Sequence, residues 1–371
     1  MKVFQQLTKI QKFEQVKDFA EEYQIGRGDF ILASKTAYDT YFAPLGLAAH
    51  VEYKSKYGVG EPTDRMIDAL LADFRETDCE RIIAIGGGAV IDMAKVLVLD
   101  GSYSTEQYFR RQVPLRKVRT LIAVPTTCGA GSEVSSVSIT EMTDIHSKLG
   151  LADESIYPDD AVLIPGLLSD LPYSFFATSA IDAFIHAIES YVSPKANLYT
   201  RMFSRQAMEM ILSGFRQIAK QGPEYRMQLL DEFLTASNLA GIAFGNAGTG
   251  AVHAMSYPLS GVYHVTHGEA NYQFLTAVFA AYQKLDPDGV LKEVNQFLAV
   301  LLECEEDQVY QALEKLLDQI ISRKRLREYG MKEEEIRAFA ESVEESQQRL
   351  LNQSYVKFDA DQMEAIYRQL Y

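Results

Sequence analysis

Residues 81–95 read RIIAIGGGAVIDMAK, an apolar run that ends on three glycines and passes into a helical pattern. The run predicts a buried strand at Arg81–Ile85. Glycines between a strand and a helix let the backbone approach a pyrophosphate, whose charge is met by the amides at the helix N-terminus. The common dinucleotide pattern is incomplete, because no glycine follows three places after Gly88. A tight strand-to-helix turn is therefore the alternative interpretation.

A second polar, glycine-containing segment follows the next apolar run. Thr120–Val124 predicts another strand, and residues 125–135, PTTCGAGSEVS, leave it with hydroxyls, amides and two glycines. This segment is too polar, and its side chains are too small, for a core position. It can line a phosphate or a nicotinamide.

Short β-like runs alternate with amphipathic segments in the first part of the chain. Phe30–Ala33 and His50–Tyr53 predict strands, and Thr63 is a plausible N-cap for a helix over Asp64–Phe74. This alternation predicts a mainly parallel sheet with helices on its faces.

Beyond about Leu168 the strand signals fade and long helical patterns replace them. The predicted helices are Thr200–Lys220, Tyr225–Phe244 and Glu306–Arg323. At 371 residues, two domains are the expected organisation. We predict an α/β dinucleotide-binding domain over residues 1–168 and an all-helical metal- and substrate-binding domain over residues 169–371.

Four side chains in the second half have the types and spacings of one metal site. Asp182 and His186 are four apart in the apolar run DAFIHAIE, so on a helix they share one face. A buried carboxylate there needs a partner to offset its desolvation. His253 and His267 stand in a second glycine-containing motif, and the chain has only six histidines. A capping aspartate and satisfied core histidines are the alternative interpretation.

Composition excludes several classes of partner. The formal net charge of −15 argues against nucleic acid and anionic membranes, and no apolar stretch approaches the length of a membrane span. Cys79, Cys128 and Cys304 are odd in number and far apart, which fits neither a disulfide framework nor a CxxC clip. The start of the chain lacks a signal-peptide core. We therefore expect a cytoplasmic protein.

Four motifs, in this order, resemble the iron-containing alcohol dehydrogenase family. Residues 86–95 match GGGSxxDxAK with Ala89 for serine, and residues 125–133 match PTTxGTGSE with Ala130 for threonine. Residues 182–189 match DAxxHAIE, and residues 253–268 match the closing motif with two histidines fourteen apart. The resemblance implies an α/β Rossmann-like nucleotide-binding domain followed by an all-α domain, the dehydroquinate synthase-like fold. It also implies a homodimer or larger homo-oligomer.

The resemblance assigns the candidate sites. The metal ligands would be Asp182, His186, His253 and His267. The cofactor-binding residues would be Gly86, Gly87, Gly88, Asp92, Lys95, Thr126, Thr127, Gly129, Ser132 and Lys148. Lys148, Tyr257 and His264 are also candidates for binding the far carboxylate of the substrate. Glu189 and Glu269 are candidate carboxylate partners for the histidines, with exposed surface positions as the alternative interpretation.

One branch of the family fits best, through residues 257–272, Ser190–Ala196 and Ile366–Tyr371. Its members interconvert 4-hydroxybutyrate and succinate semialdehyde with a nicotinamide cofactor. A broader primary alcohol dehydrogenase or aldehyde reductase is the nearest alternative. A metal-dependent lyase or hydrolase, or a non-catalytic binding protein, belongs to other classes. The metal motifs are nearly free of Arg and Lys, which counts against a lyase acting on phosphorylated sugar acids.

Two departures from the family pattern affect the assignments. Tyr257 stands where many members carry a histidine near the nicotinamide, so Tyr257 and His264 become the candidate catalytic residues for proton transfer. His264 can equally be a polar residue packed beside the metal loop. Ala33-Ser34-Lys35 lacks the acidic residue that often binds the ribose hydroxyls in NAD-preferring relatives, and Lys35 can attract a 2′-phosphate, so NADP is the alternative cofactor. NAD is the first expectation because of the branch resemblance. Three imidazoles and one carboxylate suit Fe(II), with Zn(II) as the alternative.

Overall fold

The computed structural model describes residues 2–145 and 147–371. The chain divides into two compact units. One spans Gln6–Leu171, and the other spans Pro172–Tyr371 together with the residues up to Gln5. The second unit is predominantly helical, as predicted, and every strand among the described residues lies in the first.

A six-stranded parallel sheet forms the centre of the first unit, with strand order β1-β8-β5-β4-β2-β3. A separate antiparallel hairpin pairs β6 with β7. The strands are β1 Lys9–Lys12, β2 Asp29–Ala33, β3 His50–Tyr53, β4 Arg81–Gly86, β5 Thr120–Pro125, β6 Val137–Met142, β7 Ser147–Ala152 and β8 Asp160–Leu163. The four strands predicted from apolar runs are confirmed as β2 to β5.

Residues along the central strands alternate between two apolar layers, because successive side chains point to opposite faces of a sheet. Ile82 and Ala84 of β4 join one buried cluster, whereas Ile83 and Ile85 join the other. Both faces of the sheet are therefore covered, which is why β4 reads as a continuous apolar run.

Short helices and one well-capped longer helix connect these strands. The α-helices of this unit are α1 Val16–Glu22, α2 Lys35–Ala37, α3 Lys54–Tyr57, α4 Asp64–Arg75, α5 Gly88–Leu97 and α6 Thr105–Phe109. Thr63 Oγ1 accepts a hydrogen bond from the Met66 amide at 3.2 Å, which confirms the predicted N-cap of α4. A π-helical turn spans Tyr38–Phe42. The 3₁₀ turns are Ala43–Leu45, Ser132–Val134, Glu154–Ile156 and Pro165–Leu168.

The second unit is a bundle in which α7, α8 and α9 pack on one another and α11 packs on α7. Its α-helices are α7 Tyr173–Val192, α8 Leu198–Gln221, α9 Leu230–Ala247, α10 Ala251–Tyr263, α11 His267–Leu285, α12 Val290–Leu302, α13 Val309–Ile320, α14 Ile336–Ser346, α15 Gln348–Leu351 and α16 Ala360–Leu370. Its 3₁₀ turns are Pro223–Gln228, Glu306–Gln308, Leu326–Tyr329 and Glu333–Glu335.

The continuous helix predicted over residues 225–244 was wrong. A 3₁₀ turn over Pro223–Gln228 comes first, and α9 begins at Leu230. The turn buries Arg226, whose guanidinium lies 5.9 Å from the ring centre of Tyr173 and 5.4 Å from that of Phe176. This tertiary contact outweighs the local helical spacing.

Across the described residues, no helix combines the length and the apolar character that crossing a membrane requires.

Candidate metal centre

The first two candidate ligands lie in the middle of α7, which is buried along most of its length. Asp182 is 4% exposed and His186 is 5% exposed, and they lie one turn apart on the same face. The ring of His186 stacks on that of Phe244 from α9, with the centroids 4.3 Å apart. The bundle therefore positions a carboxylate and an imidazole side by side in an otherwise apolar environment.

Two neighbouring helices bring the remaining ligands to this face. His253 lies in the first turn of α10, and His267 is the first residue of α11. Nε2 of His253 lies 3.1 Å from Nε2 of His186, and Nε2 of both His253 and His267 lies 4.0 Å from Asp182 Oδ1. One potential ligand atom from each of the four residues lies within 4.8 Å of the others.

This donor set fits one transition-metal cation. Ligand atoms about 2.1 Å from a shared ion lie roughly 3 to 4.2 Å apart, so only small side-chain shifts separate the observed set from a coordination sphere. Burial by itself raises the pKa of Asp182, but the electrostatic interactions with His186, His267 and His253 and the hydrogen bond from Asn271 outweigh it, and the net pKa lies below the usual value. A cation would stabilise the buried carboxylate in the same way, and imidazole ligands suit Fe(II) or Zn(II).

A buried carboxylate orients one of the histidines. Glu189 lies three residues after His186 on α7. Its Oε2 lies 2.6 Å from Nδ1 of His253, and its Oε1 accepts a hydrogen bond from the Val252 amide at 2.7 Å. The expected carboxylate partner of a histidine is thus confirmed in Glu189. Glu269 instead accepts a hydrogen bond from the Tyr329 hydroxyl at 2.9 Å.

These two glutamates give a matched pair of variants. We expect Glu189→Gln to weaken metal binding by about 10- to 100-fold, because loss of an outer carboxylate leaves the ligand ring less basic and less well oriented. Glu269→Gln should change metal affinity by less than about twofold. Competition with a chelator whose fluorescence reports bound Zn(II) measures the Zn(II) dissociation constants of both variants. Equal effects of the two substitutions would contradict the assignment.

A close helix contact requires a glycine beside the ligand His267. A Cβ on Gly268 would lie 2.6 Å from the Thr178 carbonyl oxygen and 3.2 Å from Asp182 Cβ. Both obstacles belong to α7, and the nearer one is backbone. Only glycine therefore lets the start of α11 approach the helix that carries Asp182.

Asn271 and Ser256 join the ligand network without having been identified from the sequence. Asn271 Nδ2 donates to Asp182 Oδ1 at 2.7 Å, and Ser256 Oγ lies 2.5 Å from Asn271 Oδ1. Asn271 could have been identified from the sequence, because it follows His267 by four residues on α11. The same spacing placed Asp182 and His186 on one helix face.

The two residues predicted to move protons lie in different environments. Tyr257 is half-buried on α10, and its ring centre lies 6.4 Å from that of His267. His264 is exposed and follows the last residue of α10 in the left-handed conformation, with φ 54°. Tyr257 thus lies beside the candidate ligands, and the catalytic role of each residue stays a prediction.

The two candidate cofactor segments adjoin in the first unit. Gly86 ends β4, Gly87 precedes α5, and the Thr126 amide donates to the Gly86 carbonyl at 3.1 Å. A Cβ on Gly87 would lie 3.1 Å from Thr127 Cγ2, and one on Gly88 would lie 2.8 Å from Ala130 Cβ. The glycines therefore allow the loop after β5 to approach the first turn of α5, whose amides suit a phosphate.

The side chain of Lys95 on α5 holds this loop in place through hydrogen bonds. Its side chain is fully buried, and Nζ donates to Ser132 Oγ at 2.7 Å, Ser135 Oγ at 3.2 Å and the Val137 carbonyl at 2.6 Å. Asp92 accepts from Ser132 Oγ and from the Ile139 amide. Desolvation lowers the pKa of Lys95, although Asp92 opposes the shift. Lys95, Asp92 and Ser132 are therefore placed to hold the loop in position.

Lys95→Met should weaken NADH binding at least tenfold and destabilise the chain by about 1–3 kcal/mol, because it removes the donor to Ser132, Ser135 and Val137 and leaves the partly buried Asp92 carboxylate without its cation. Lys54→Met is the matched control, since Lys54 is also buried but donates to the carbonyls of Gly58 and Gly60. NADH fluorescence titration and thermal unfolding measure both variants. An unchanged NADH dissociation constant in Lys95→Met would reject this role.

The remaining candidates for the cofactor site have different surroundings. Gly129 is buried within the loop after β5. Lys148 is half-buried on β7, where its Cα pairs with that of Glu141 on β6. Its role with either cofactor or substrate stays a prediction.

Family comparison places this arrangement in a known class. Residues 3–165 match the iron-containing alcohol dehydrogenase family, and residues 176–371 match the C-terminal part of the Fe-containing alcohol dehydrogenase family. The chain belongs to the iron-containing alcohol dehydrogenase family and is an oxidoreductase.

Among individual relatives, the chain is 48% identical over 371 residues to the 4-hydroxybutyrate dehydrogenase of Clostridium kluyveri, with 100% of each chain covered. A sulfoacetaldehyde reductase from Bifidobacterium kashiwanohense, solved with NAD+, superposes with a TM-score of 0.85 at 23% identity and covers 99% of this chain and 98% of its own. An iron-containing alcohol dehydrogenase from Thermococcus thioreducens gives 0.84 at 24% identity, with 99% of each chain covered. These two structures share the fold.

Proposed function

We propose that this enzyme interconverts 4-hydroxybutyrate and succinate semialdehyde with NAD(H) and a bound Fe(II). The observation that carries the substrate assignment is the 48% identity over the full length of the Clostridium kluyveri 4-hydroxybutyrate dehydrogenase. The buried cluster of one carboxylate and three imidazoles supports metal-assisted chemistry. Iron is favoured over zinc because the chain belongs to the iron-containing family.

The side chains of the second unit would hold the metal and shape its surroundings. Asp182, His186, His253 and His267 would bind the cation, which supplies Lewis-acid polarisation of the aldehyde or alcohol oxygen. Glu189 keeps the His253 ring turned toward the cluster, and the apolar stretches of α7 and α10 bury Asp182, His186 and His253. Tyr257, beside His267, is our candidate for moving the alcohol proton, with His264 as the alternative.

The first unit would hold the cofactor, which supplies the hydride. The amides of Gly87 and Gly88 at the start of α5 would meet its pyrophosphate, and Thr127 lines the adjoining loop. Lys35 is ion-paired with Asp39 and lies 4.8 Å from the ring centre of Tyr53. Because Asp39 offsets its charge, Lys35 has less attraction for a 2′-phosphate, which favours NAD over NADP.

Two further features belong to the proposal. We propose a homodimer or larger homo-oligomer, as family membership implies. We also propose a cytoplasmic location, supported by Cys79, Cys128 and Cys304, none of which forms a disulfide in the described part of the chain. The substrate's far carboxylate needs a cation or a hydroxyl, and Lys148, Tyr257 and His264 remain the candidates.

The substrate assignment is tested on protein purified without oxygen and reloaded with Fe(II). NADH consumption is followed with succinate semialdehyde and, as a control without a carboxylate, with butyraldehyde. We expect a kcat/KM at least 100-fold higher for succinate semialdehyde. Equal or reversed values would identify a broader aldehyde reductase. Absence of turnover with both aldehydes and both NADH and NADPH would reject the dehydrogenase function.

A further inference from the structure

Asn271 links the carboxylate ligand to two other helices of the metal centre. Its side chain is fully buried on α11, one turn after His267. Nδ2 donates to Asp182 Oδ1 at 2.7 Å and lies 3.2 Å from Nε2 of His267. The amide group therefore joins the carboxylate of α7 to the histidine of α11.

The chemistry of the neighbours fixes the orientation of this amide. An ionised carboxylate only accepts hydrogen bonds, so the NH₂ group of Asn271 must face Asp182. Its carbonyl oxygen then faces Ser256 on α10, whose Oγ lies 2.5 Å from Asn271 Oδ1 and 2.9 Å from the His253 carbonyl. Ser256 is fully buried as well. A flip of the amide would place two acceptors, Asn271 Oδ1 and Asp182 Oδ1, against each other and lose the hydrogen bond to the carboxylate.

The Asp182 carboxylate needs this support because rotation about its terminal side-chain bond costs little energy. The terminal torsion of an aspartate has a broad energy profile, so Asp182 alone could rotate and change the oxygen that it presents. We propose that Asn271, held by Ser256, is the positioning residue that fixes the Asp182 carboxylate for metal binding. The proposal rests on the metal centre of the proposed function. It assigns no direct contact between Asn271 and the metal.

Metal affinity and the visible spectrum of the Co(II)-substituted protein test this role. Asn271→Ala should weaken Zn(II) binding by about 10- to 100-fold and shift the Co(II) absorption bands, because the carboxylate is no longer held in one orientation. Ser256→Ala keeps the amide but removes its anchor, and should weaken Zn(II) binding by about 2- to 10-fold. This milder variant keeps the test decisive where the first variant folds poorly.

Asn295→Ala is the matched control. Asn295 is also buried in the helical unit, and its Oδ1 accepts from the Tyr310 hydroxyl at 2.5 Å on α13. It should lower thermal stability but leave the Zn(II) affinity and the Co(II) spectrum unchanged. Wild-type affinity and spectrum in both Asn271→Ala and Ser256→Ala would overturn the proposal, and so would an equal loss in Asn295→Ala.

The metal readouts separate this inference from the substrate assignment. Were the wild-type protein inactive with succinate semialdehyde, the proposed substrate would fail, whereas the differences in Zn(II) affinity would still stand. Conversely, an active enzyme whose Asn271→Ala and Ser256→Ala variants both bind Zn(II) normally would retain its proposed function and lose only this positioning role.

Discussion

Replacing His253 with alanine is expected to lower kcat by at least about 1,000-fold. The substitution removes one of four candidate ligands. It also leaves Glu189 buried without its imidazole partner, since Glu189 Oε2 lies 2.6 Å from His253 Nδ1. A bound metal stabilises charge on the reacting oxygen by several kcal/mol, and each 1.4 kcal/mol corresponds to about tenfold in rate. The loss should appear mainly in kcat, because the cofactor segments lie in the other unit.

Metal content and turnover should fall together in this variant. Elemental analysis after reloading with Fe(II), combined with the rate of NADH consumption, measures both. His50→Ala is the control, since His50 is on strand β3 of the sheet and stacks on Phe30. A His253→Ala enzyme that keeps a full equivalent of metal and near-normal kcat would show that His253 is not a ligand.

Gly268→Ala is expected to damage the same centre by moving a helix rather than by removing a ligand. The added Cβ would lie 2.6 Å from the Thr178 carbonyl oxygen, so α11 must shift away from α7. Such overpacking costs about 1–3 kcal/mol of stability. His267 shifts with it, and metal affinity should fall at least tenfold. Thermal unfolding and Zn(II) competition measure the two effects.

Gly261 provides the matched control within α10. A Cβ there would meet no described atom within 4 Å, and alanine favours helix over glycine by about 0.5–1 kcal/mol. Gly261→Ala should therefore be neutral or slightly more stable, with unchanged metal affinity. If Gly268→Ala behaved like Gly261→Ala, the close contact between α11 and α7 would not determine the position of His267.

Patterns that depend on neighbouring residues in the chain were predicted well. The apolar runs of β2 to β5, the Thr63 cap and the pairing of Asp182 with His186 all follow from local spacing. The gathering of all four ligand residues followed from residue type, because a buried carboxylate near histidines needs a compensating charge. The glycine run at residues 86–88 predicted a strand-to-helix turn for the same local reason.

Features that depend on distant contacts were not predicted. Strand β1 is mostly exposed and contains Lys9 and Lys12, so its pairing with β8 leaves no apolar pattern. The break in the helix before α9 depends on the contact of the Arg226 guanidinium with the rings of Tyr173 and Phe176. Choosing Glu189 over Glu269 required knowing which carboxylate faces His253, since both stand near ligand motifs.

Titration of the metal-free enzyme with Fe(II) under argon tests the central claim most directly. The rate of NADH oxidation by succinate semialdehyde is followed as a function of added metal. We predict a rate near zero without metal, a linear rise and a sharp break at one equivalent of Fe(II) per chain. A full rate in the metal-free protein, or no dependence on added metal, would contradict the account.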